Sequence, residues 1–219
     1  MIFPIYMVLL AFLCTFFIEK KSNTYPELYS QYLSTFANLI LNINMELVVL
    51  VNKNDNPIGT MEKMEAHEKG ILHRAFSVFI FNKDGELMLQ QRAMSKYHSP
   101  GLWTNTCCSH PRKGEKTIDA AHRRMNEEMG FDCDFKEAFD FIYKSDVGQG
   151  LIEHELDHVF IGISNKQPET NHEEVHDWTY MPMDIIKAEM KSNPEKYTVW
   201  FRIAFDEVMS HFETSGIGN

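Results

Sequence analysis

A charged segment between two stretches of strand-forming residues most constrains the fold of this chain. From Thr117 to Met129 the sequence predicts an α-helix, with Gly130 as its stop signal. Strand signals, which are apolar or alternating runs rich in Val, Ile and Phe, occur at residues 47–51, 76–81, 87–91 and 159–163. A hairpin turn is predicted at residues 82–86, and a last helix from Thr198 to about Ser210. This order predicts an α/β (α+β) domain in which helices sandwich a mixed β-sheet.

The predicted helix and the residues before it carry a spaced pattern that resembles the Nudix box, Gly-x5-Glu-x7-Arg-Glu-U-x-Glu-Glu-x-Gly-U, in which U is aliphatic. The residues in register are Glu115, Arg123, Met125, Glu127, Glu128, Gly130 and Phe131. Ser109 replaces the first glycine, and Arg124 replaces the glutamate that follows the arginine. In Nudix hydrolases the acidic cluster holds divalent ions that activate water. A guanidinium weakens such a cluster and suits a phosphate instead, so we expect a Nudix-type fold without ordinary Nudix chemistry.

A second pattern extends over residues 45 to 205. It comprises segments 72–77, 90–92 and 104–111, Arg92-x3-Lys96, Pro100-Gly101-x-Trp103-Thr104-Asn105, Glu153-His154-Glu155 and Trp200. This pattern resembles the type I isopentenyl diphosphate isomerases, which are Nudix-fold enzymes of isoprenoid synthesis. The resemblance implies isomerisation of isopentenyl diphosphate to dimethylallyl diphosphate by protonation and deprotonation through a tertiary carbocation.

Three imidazoles and two carboxylates form a candidate metal site, namely His67, His73, His110, Glu153 and Glu155. The two glutamates are two residues apart, so on a strand both project from one face and His154 from the other. Such a donor set, with one open position, suits a six-coordinate Mn²⁺, Mg²⁺ or Zn²⁺. By resemblance these five are the family's metal ligands. We expect structural or surface roles for His98, His122, His158, His172, His176 and His211.

The resemblance also assigns four catalytic residues, Cys108, Glu155, Tyr143 and Trp200. Cys108 and Glu155 would be proton donor and acceptor on opposite sides of the substrate, Tyr143 would assist proton delivery near Glu155, and Trp200 would face the cation. Neighbouring residues of a strand point to opposite faces, so at most one of two adjacent thiols meets the pocket. We expect the other cysteines, Cys107, Cys14 and Cys133, to be inert in a reducing compartment.

Four basic residues match the phosphate-binding positions of the family: Lys63, Arg92, Lys96 and Arg124. A second ion, Mg²⁺, is expected between the diphosphate and Glu128, completed by the backbone carbonyl of Cys108. The net charge of −10 and the absence of a basic stripe argue against a nucleic-acid partner. The expected partner is therefore a small-molecule diphosphate.

Residues 1–18 contain no charged residue. The length of this run is at the lower limit for a membrane-spanning helix. They lack the basic leader and cleavage site of a secretory signal, and Lys20 and Lys21 would leave the following residues in the cytoplasm. Two interpretations stay open, a membrane tether and an extension outside the functional fold, and we favour the second. We therefore divide the chain into a non-catalytic hydrophobic extension (1–44) and a cytoplasmic Nudix-fold isomerase domain (45–219), whose activity should not need membrane contact.

Two other functions are weighed against the isomerase. A Nudix pyrophosphohydrolase of a nucleoside diphosphate derivative would have glutamate at position 124 and no need for Cys108 or the metal ligands. A binding module without catalysis would have an incomplete ligand set or lack Cys108. The sequence has arginine at position 124, and it contains both Cys108 and the complete set of candidate ligands, so the isomerase is favoured.

Overall fold

The computed structural model describes residues 46–214, which contain nine strands and four α-helices. The strands are β1 (Leu47–Val51), β2 (Pro57–Glu62), β3 (His73–Phe81), β4 (Leu87–Arg92), β5 (Trp103–Thr104), β6 (Cys107–Ser109), β7 (Phe135–Asp146), β8 (Ile152–Ile163) and β9 (Val175–Met181). The helices are α1 (Lys63–Lys69), α2 (Thr117–Met129), α3 (Met183–Ser192) and α4 (Val199–Thr214), with a 3-10 turn at Pro194–Lys196. None of the described helices has the length and apolar character that a membrane span requires. The hydrophobic extension predicted at 1–44 lies outside the described residues.

Strand β3 is at the centre of a mixed sheet. It pairs in parallel with β8 along its whole length, from His73 opposite Glu155 to Phe81 opposite Ile163. It pairs antiparallel with β6, with β1 at one end, and with β4 through the predicted hairpin turn. Strand β7 pairs with β8, while β5 and β9 pair with β4. The prediction of a mixed sheet is therefore confirmed.

The side chains of β3 alternate between two hydrophobic cores. Phe76, Val78 and Ile80 pack in the core that contains the apolar side of α2. Phe79 and Phe81 point to the other face and pack in the core that contains α4. Because successive side chains of a strand point in opposite directions, one buried strand supports a helix on each face. The predicted arrangement of helices around the sheet is thus observed.

Helix α2 has the predicted bounds, whereas several strands extend further than their apolar runs. The predicted strand at 159–163 begins at Ile152, and the predicted strand at 76–81 begins at His73. The added parts carry histidine and acidic residues at buried positions, which interrupt the hydrophobic pattern. The last helix begins at Val199 and continues to Thr214, beyond the predicted end. The polar extensions of β3 and β8 are the parts of the sheet that build the site.

Candidate active site and metal centre

Four side chains from separate elements converge at the beginning of β3. His67 comes from α1, His73 from β3, His110 from the residue after β6, and Glu155 from β8. Their ligand atoms all lie within 4.8 Å of one another. Nε2 of His110 is 3.0 Å from Oε1 of Glu155, and Nε2 of His73 is 3.4 Å from the same oxygen. The structure therefore brings together four of the five predicted metal ligands.

Backbone hydrogen bonds fix the orientation of two of these imidazoles. Nδ1 of His67 donates to the carbonyl of Lys63 at 2.7 Å, and Nδ1 of His73 donates to the carbonyl of Ile71 at 2.8 Å. Because a carbonyl only accepts, Nδ1 carries the hydrogen in each ring and Nε2 keeps its lone pair. Both Nε2 atoms are buried and have no hydrogen-bond partner among the described residues. A divalent cation would satisfy these lone pairs, so the donor set fits a metal.

The fifth predicted ligand, Glu153, lies in a second group together with His67 and His98. It is on the same face of β8 as Glu155, while His154 faces away and its Nδ1 lies 3.0 Å from the carbonyl oxygen of Gly70. Of the two roles expected for His98, structural or surface, the structure excludes the surface position. The His98 side chain is buried, and its Nε2 is 3.3 Å from Oε1 of Glu153. We call all six residues the cage: His67, His73, His98, His110, Glu153 and Glu155.

Tyr143 from β7 connects the two carboxylates of the cage. Its Oη is 2.9 Å from Oε2 of Glu153 and 2.6 Å from Oε2 of Glu155. Burial and the charge of Glu155 raise the pKa of Glu153 well above its usual range. Burial also acts on Glu155, but the hydrogen bond with His110 outweighs it and holds the pKa of Glu155 well below its usual range. Glu155 is therefore the more readily ionised carboxylate of the pair, and the hydroxyl of Tyr143 lies within hydrogen-bond distance of both.

The two adjacent cysteines of β6 lie on opposite faces of the sheet. Cys107 is fully buried in the core beneath α2, whereas Cys108 is partly buried at the edge of the other core. Burial raises the pKa of Cys108 to about 12, so its thiol is protonated at neutral pH. Cys133 is also a free, partly buried thiol, and Cys14 lies outside the described residues.

Lys96 and Arg124, two of the residues predicted to bind phosphate, share one carboxylate. Both contact Glu174, with Nη2 of Arg124 at 3.1 Å from its Oε1. Burial acts against ionisation of Glu174, but the hydrogen bond from Lys96 and the charge of Arg124 lower its pKa to about 2. Sequence reasoning missed Glu174, because one acidic residue in a polar loop carries no pattern of its own.

The other two predicted phosphate ligands each lie against an aromatic ring. The guanidinium carbon of Arg92 is 5.3 Å from the ring centre of Trp200, and Nζ of Lys63 is 4.9 Å from that of Tyr97. Trp200 itself is buried on α4, and its Nε1 donates to Oδ1 of Asn105 at 3.2 Å. The predicted catalytic tryptophan thus belongs to the core and also faces a positive charge.

Every carboxylate of the box on and before α2 is bound by an arginine. Arg123 donates to both oxygens of Glu115, at 2.8 and 2.9 Å, and to Glu127 at 3.0 Å. Arg124 donates to Glu127 at 2.9 Å and to Oε1 of Glu128 at 2.6 and 3.0 Å. Two guanidinium groups therefore compensate most of the charge of three carboxylates.

The chain matches one domain family and is similar in sequence to enzymes that share one name. The model of the NUDIX domain matches residues 71–201. The isopentenyl-diphosphate Delta-isomerase 2 of Photorhabdus laumondii is 53% identical over 157 residues, which cover 72% of this chain and 89% of the relative. The isopentenyl-diphosphate Delta-isomerase of Pectobacterium atrosepticum is 50% identical over 166 residues, which cover 76% and 93%.

Solved structures with the same fold are more distant in sequence. A crystal structure from Deinococcus radiodurans has a TM-score of 0.57 at 20% identity and covers 67% of this chain and 90% of that chain. A MutT protein from Methanosarcina mazei has a TM-score of 0.51 at 16% identity and covers 62% and 91%. These structural matches support the Nudix-type fold alone.

Proposed function

The chain belongs to the isopentenyl-diphosphate Delta-isomerases of the Nudix family, and we propose that Cys108 and Glu155 exchange the protons of the reaction. The reaction moves the C=C bond of isopentenyl diphosphate by one position and gives dimethylallyl diphosphate. One carbon gains a proton and another loses one, and the tertiary carbocation between the two steps must be protected from water.

The charge balance on α2 is the observation that favours isomerisation over pyrophosphate hydrolysis. A Nudix hydrolase needs an acidic cluster that holds several divalent ions. In this chain Arg124 replaces one acidic residue of that cluster and hydrogen-bonds to two others, Glu127 and Glu128. A separate group of imidazoles and carboxylates is built instead on α1, β3, β8 and the loops beside them.

The protonation states of the two proposed catalytic residues suit their roles. The Cys108 thiol is neutral, because burial raises its pKa to about 12, and it can donate a proton to the double bond. The Glu155 carboxylate has a lowered pKa and can accept a proton from the neighbouring carbon. Each forward turnover moves one proton from Cys108 to Glu155, so Cys108 must regain a proton from water and Glu155 must release one to water before the next turnover. Tyr143, at 2.6 Å from Glu155, would carry this proton onward.

We assign the remaining catalytic role, stabilisation of the carbocation, to Trp200. An aromatic face attracts a cation by about 2 kcal/mol where water is excluded. The ring of Trp200 already takes part in one contact of this kind, with the guanidinium group of Arg92 at 5.3 Å from its centre.

The proposed cofactor of the cage is one divalent ion, Mn²⁺, Mg²⁺ or Zn²⁺, with His67, His73, His110, Glu153 and Glu155 as ligands. Bound there, it would supply a fixed positive charge that keeps the carboxylates ionised and oriented. The imidazole donors suit Mn²⁺ or Zn²⁺ better than Mg²⁺, which prefers oxygen ligands.

The diphosphate is proposed to lie among Lys63, Arg92, Lys96 and Arg124, with a second ion, Mg²⁺, that arrives with it. Glu128 and the carbonyl of Cys108 would hold this Mg²⁺. Oε1 of Glu128 accepts two hydrogen bonds from Arg124, and Oε2 accepts one from Gln90 at 3.1 Å. Oε2 therefore keeps a lone pair for an ion.

A Cys108→Ala variant tests the acid/base pair. In D₂O with isopentenyl diphosphate and Mg²⁺, wild type should produce dimethylallyl signals, incorporate deuterium and release no phosphate. Cys108→Ala should lose at least about 10³-fold in kcat, whereas Cys107→Ala, the matched control on the opposite face, should stay close to wild type. Substantial turnover by folded Cys108→Ala would refute the assignment, and phosphate release without rearrangement would indicate a hydrolase.

We also propose that residues 45–219 form the catalytic domain, that it acts in the cytoplasm, and that residues 1–44 take no part in chemistry. The proposed site residues all lie between Lys63 and Trp200. Deletion of residues 1–44 should leave kcat and KM within about twofold of the full chain, measured by the same assay. Loss of turnover in a folded deletion variant would show that the extension contributes to activity.

A further inference from the structure

The loop between β4 and β5 brings a fourth buried imidazole into the cage. His98 is 4% exposed, and its ring stacks on that of His67 with centroids 5.7 Å apart. The rings of His67 and His110, both predicted ligands, have nearly the same separation, 5.8 Å. The ligand atoms of His67, His98 and Glu153 lie within 4.8 Å of one another. His67 therefore links His98 to the other imidazoles of the cage.

Three nitrogen–oxygen distances in the cage match those between neighbouring ligands of an ion, and the six donor atoms form two groups that share His67. Bonds of about 2.1 Å place neighbouring donor atoms about 3.0 Å apart and opposite donor atoms about 4.2 Å apart. The nitrogen–oxygen distances are 3.0 Å for His110 and Glu155, 3.4 Å for His73 and Glu155, and 3.3 Å for His98 and Glu153. The distance between His98 and Glu153 is thus similar to the distances from His73 and His110 to Glu155.

We propose that His98 is a direct ligand of the divalent ion in the cage, bound beside Glu153, an inference that rests on the metal site proposed above. The five ligands assigned from the sequence leave one position of a six-coordinate ion open. Nε2 of His98 would fill that position. Metal sites that activate water keep an open position, whereas sites closed by protein ligands do not. A closed cage would keep water away from the carbocation and would limit the ion to orienting Glu155.

The backbone around His98 is held in the conformation that points its ring into the cage. Nη2 of Arg92 donates to the carbonyl of His98 at 3.1 Å, and Nε of Arg92 donates to the carbonyl of Ser99 at 3.2 Å. Ser99 has φ of 47°, a left-handed conformation that is unfavourable for a residue other than glycine. Such strain persists only where the surroundings fix the backbone, and it is concentrated at functional sites. The contacts from Arg92 therefore fix the backbone from which the His98 side chain projects.

NMR of the full chain loaded with ¹¹³Cd²⁺ and labelled with ¹⁵N-histidine tests this proposal without a mutation. A splitting between ¹¹³Cd and ¹⁵N is observed only across a direct bond. We expect split Nε2 signals from His67, His73, His98 and His110. Three split signals, with none from His98, would overturn the His98 assignment and leave the proposed cage intact. Failure of wild type to bind Cd²⁺ would overturn both.

Metal affinity provides a second test that separates a ligand from a residue that only orients Glu153. Mn²⁺ affinity, measured by competition with a chelator, should fall about 10- to 100-fold in His98→Gln. Glutamine can still donate a hydrogen bond to Glu153 but replaces the imidazole donor. His176→Gln, at an exposed position of β9, is the matched control and should bind like wild type. Wild-type affinity in folded His98→Gln would overturn the proposal.

Discussion

The cage and the charged residues of α2 use similar ionisable groups in opposite ways. In the cage, buried imidazole nitrogens of His67 and His73 have no hydrogen-bond partner among the described residues, and two buried carboxylates share one tyrosine hydroxyl. On α2, each carboxylate of the box is bound by Arg123 or Arg124. The cage therefore needs a cation from outside, whereas the α2 cluster supplies its own positive charge.

Burial explains why the two regions differ in what they can bind. The side chain of Glu127 on α2 is 37% exposed, and ion pairs at such positions contribute only about 0–1 kcal/mol. Arg124 can therefore exchange Glu127 for a phosphate at little cost, although its other partner on α2, Glu128, is buried. Cage side chains such as His73 and Glu153 are almost completely buried, and water cannot replace their missing partners. In this chain the cage is thus suited to a resident cation and α2 to the incoming anion.

The largest effect is expected from Glu155→Gln, because this carboxylate is proposed to serve both the cage and the proton transfer. We expect kcat to fall by at least about 10³-fold while the circular dichroism spectrum is unchanged. Glu127→Gln, the matched exchange on α2, should retain most activity because its carboxylate is exposed and paired only with arginines. Equal losses in the two variants would remove the distinction between the regions.

The fold and much of the site could be predicted because their residues form regular patterns. Helix α2 has the predicted bounds, since its apolar period, its charged motif and Gly130 all agree. Glu153 and Glu155 share a face because strand alternation depends only on spacing. The first residues of β8 were not predicted as strand, because buried acidic residues there replace the apolar residues on which strand prediction relies.

The contributions of His98 and Glu174 could not be predicted, because both depend on tertiary contacts from loops. The sequence around His98 contains no spacing that relates it to Glu153, which lies 55 positions later in the chain. Glu174 contacts Lys96 and Arg124 only after β9 pairs with β4. Periodicity describes residues within one element, whereas these contacts join separate elements.

A smaller effect, on stability, is expected when the metal of the cage is removed. A ligand at 100 to 1,000 times its Kd stabilises the folded state by about 3–4 kcal/mol, which for a chain of this size corresponds to roughly 6–15 °C in Tm. Calorimetry with and without a chelator should show a shift of that order. Arg124→Gln should retain the shift and His73→Ala should lose it. A shift that depends on Arg124 and not on His73 would place the resident ion on α2.

The smallest effect is expected from Arg124→Glu, which restores the glutamate of the Nudix pattern. The variant replaces a cation near the proposed diphosphate by an anion, so KM for isopentenyl diphosphate should rise about 10- to 100-fold with a smaller change in kcat. Arg124→Gln, which removes the charge without reversing it, should give an intermediate KM.

The Arg124→Glu variant also tests whether Arg124 is the residue that prevents hydrolysis of the diphosphate. Arg124→Glu recreates the acidic cluster, but Arg123 still binds Glu115 and Glu127, and Cys108 and the cage are unchanged. We therefore expect no phosphate or pyrophosphate release from isopentenyl diphosphate, measured beside the isomerisation assay. Release by Arg124→Glu alone would mean that a single guanidinium group separates the two chemistries, and that the cage is compatible with either.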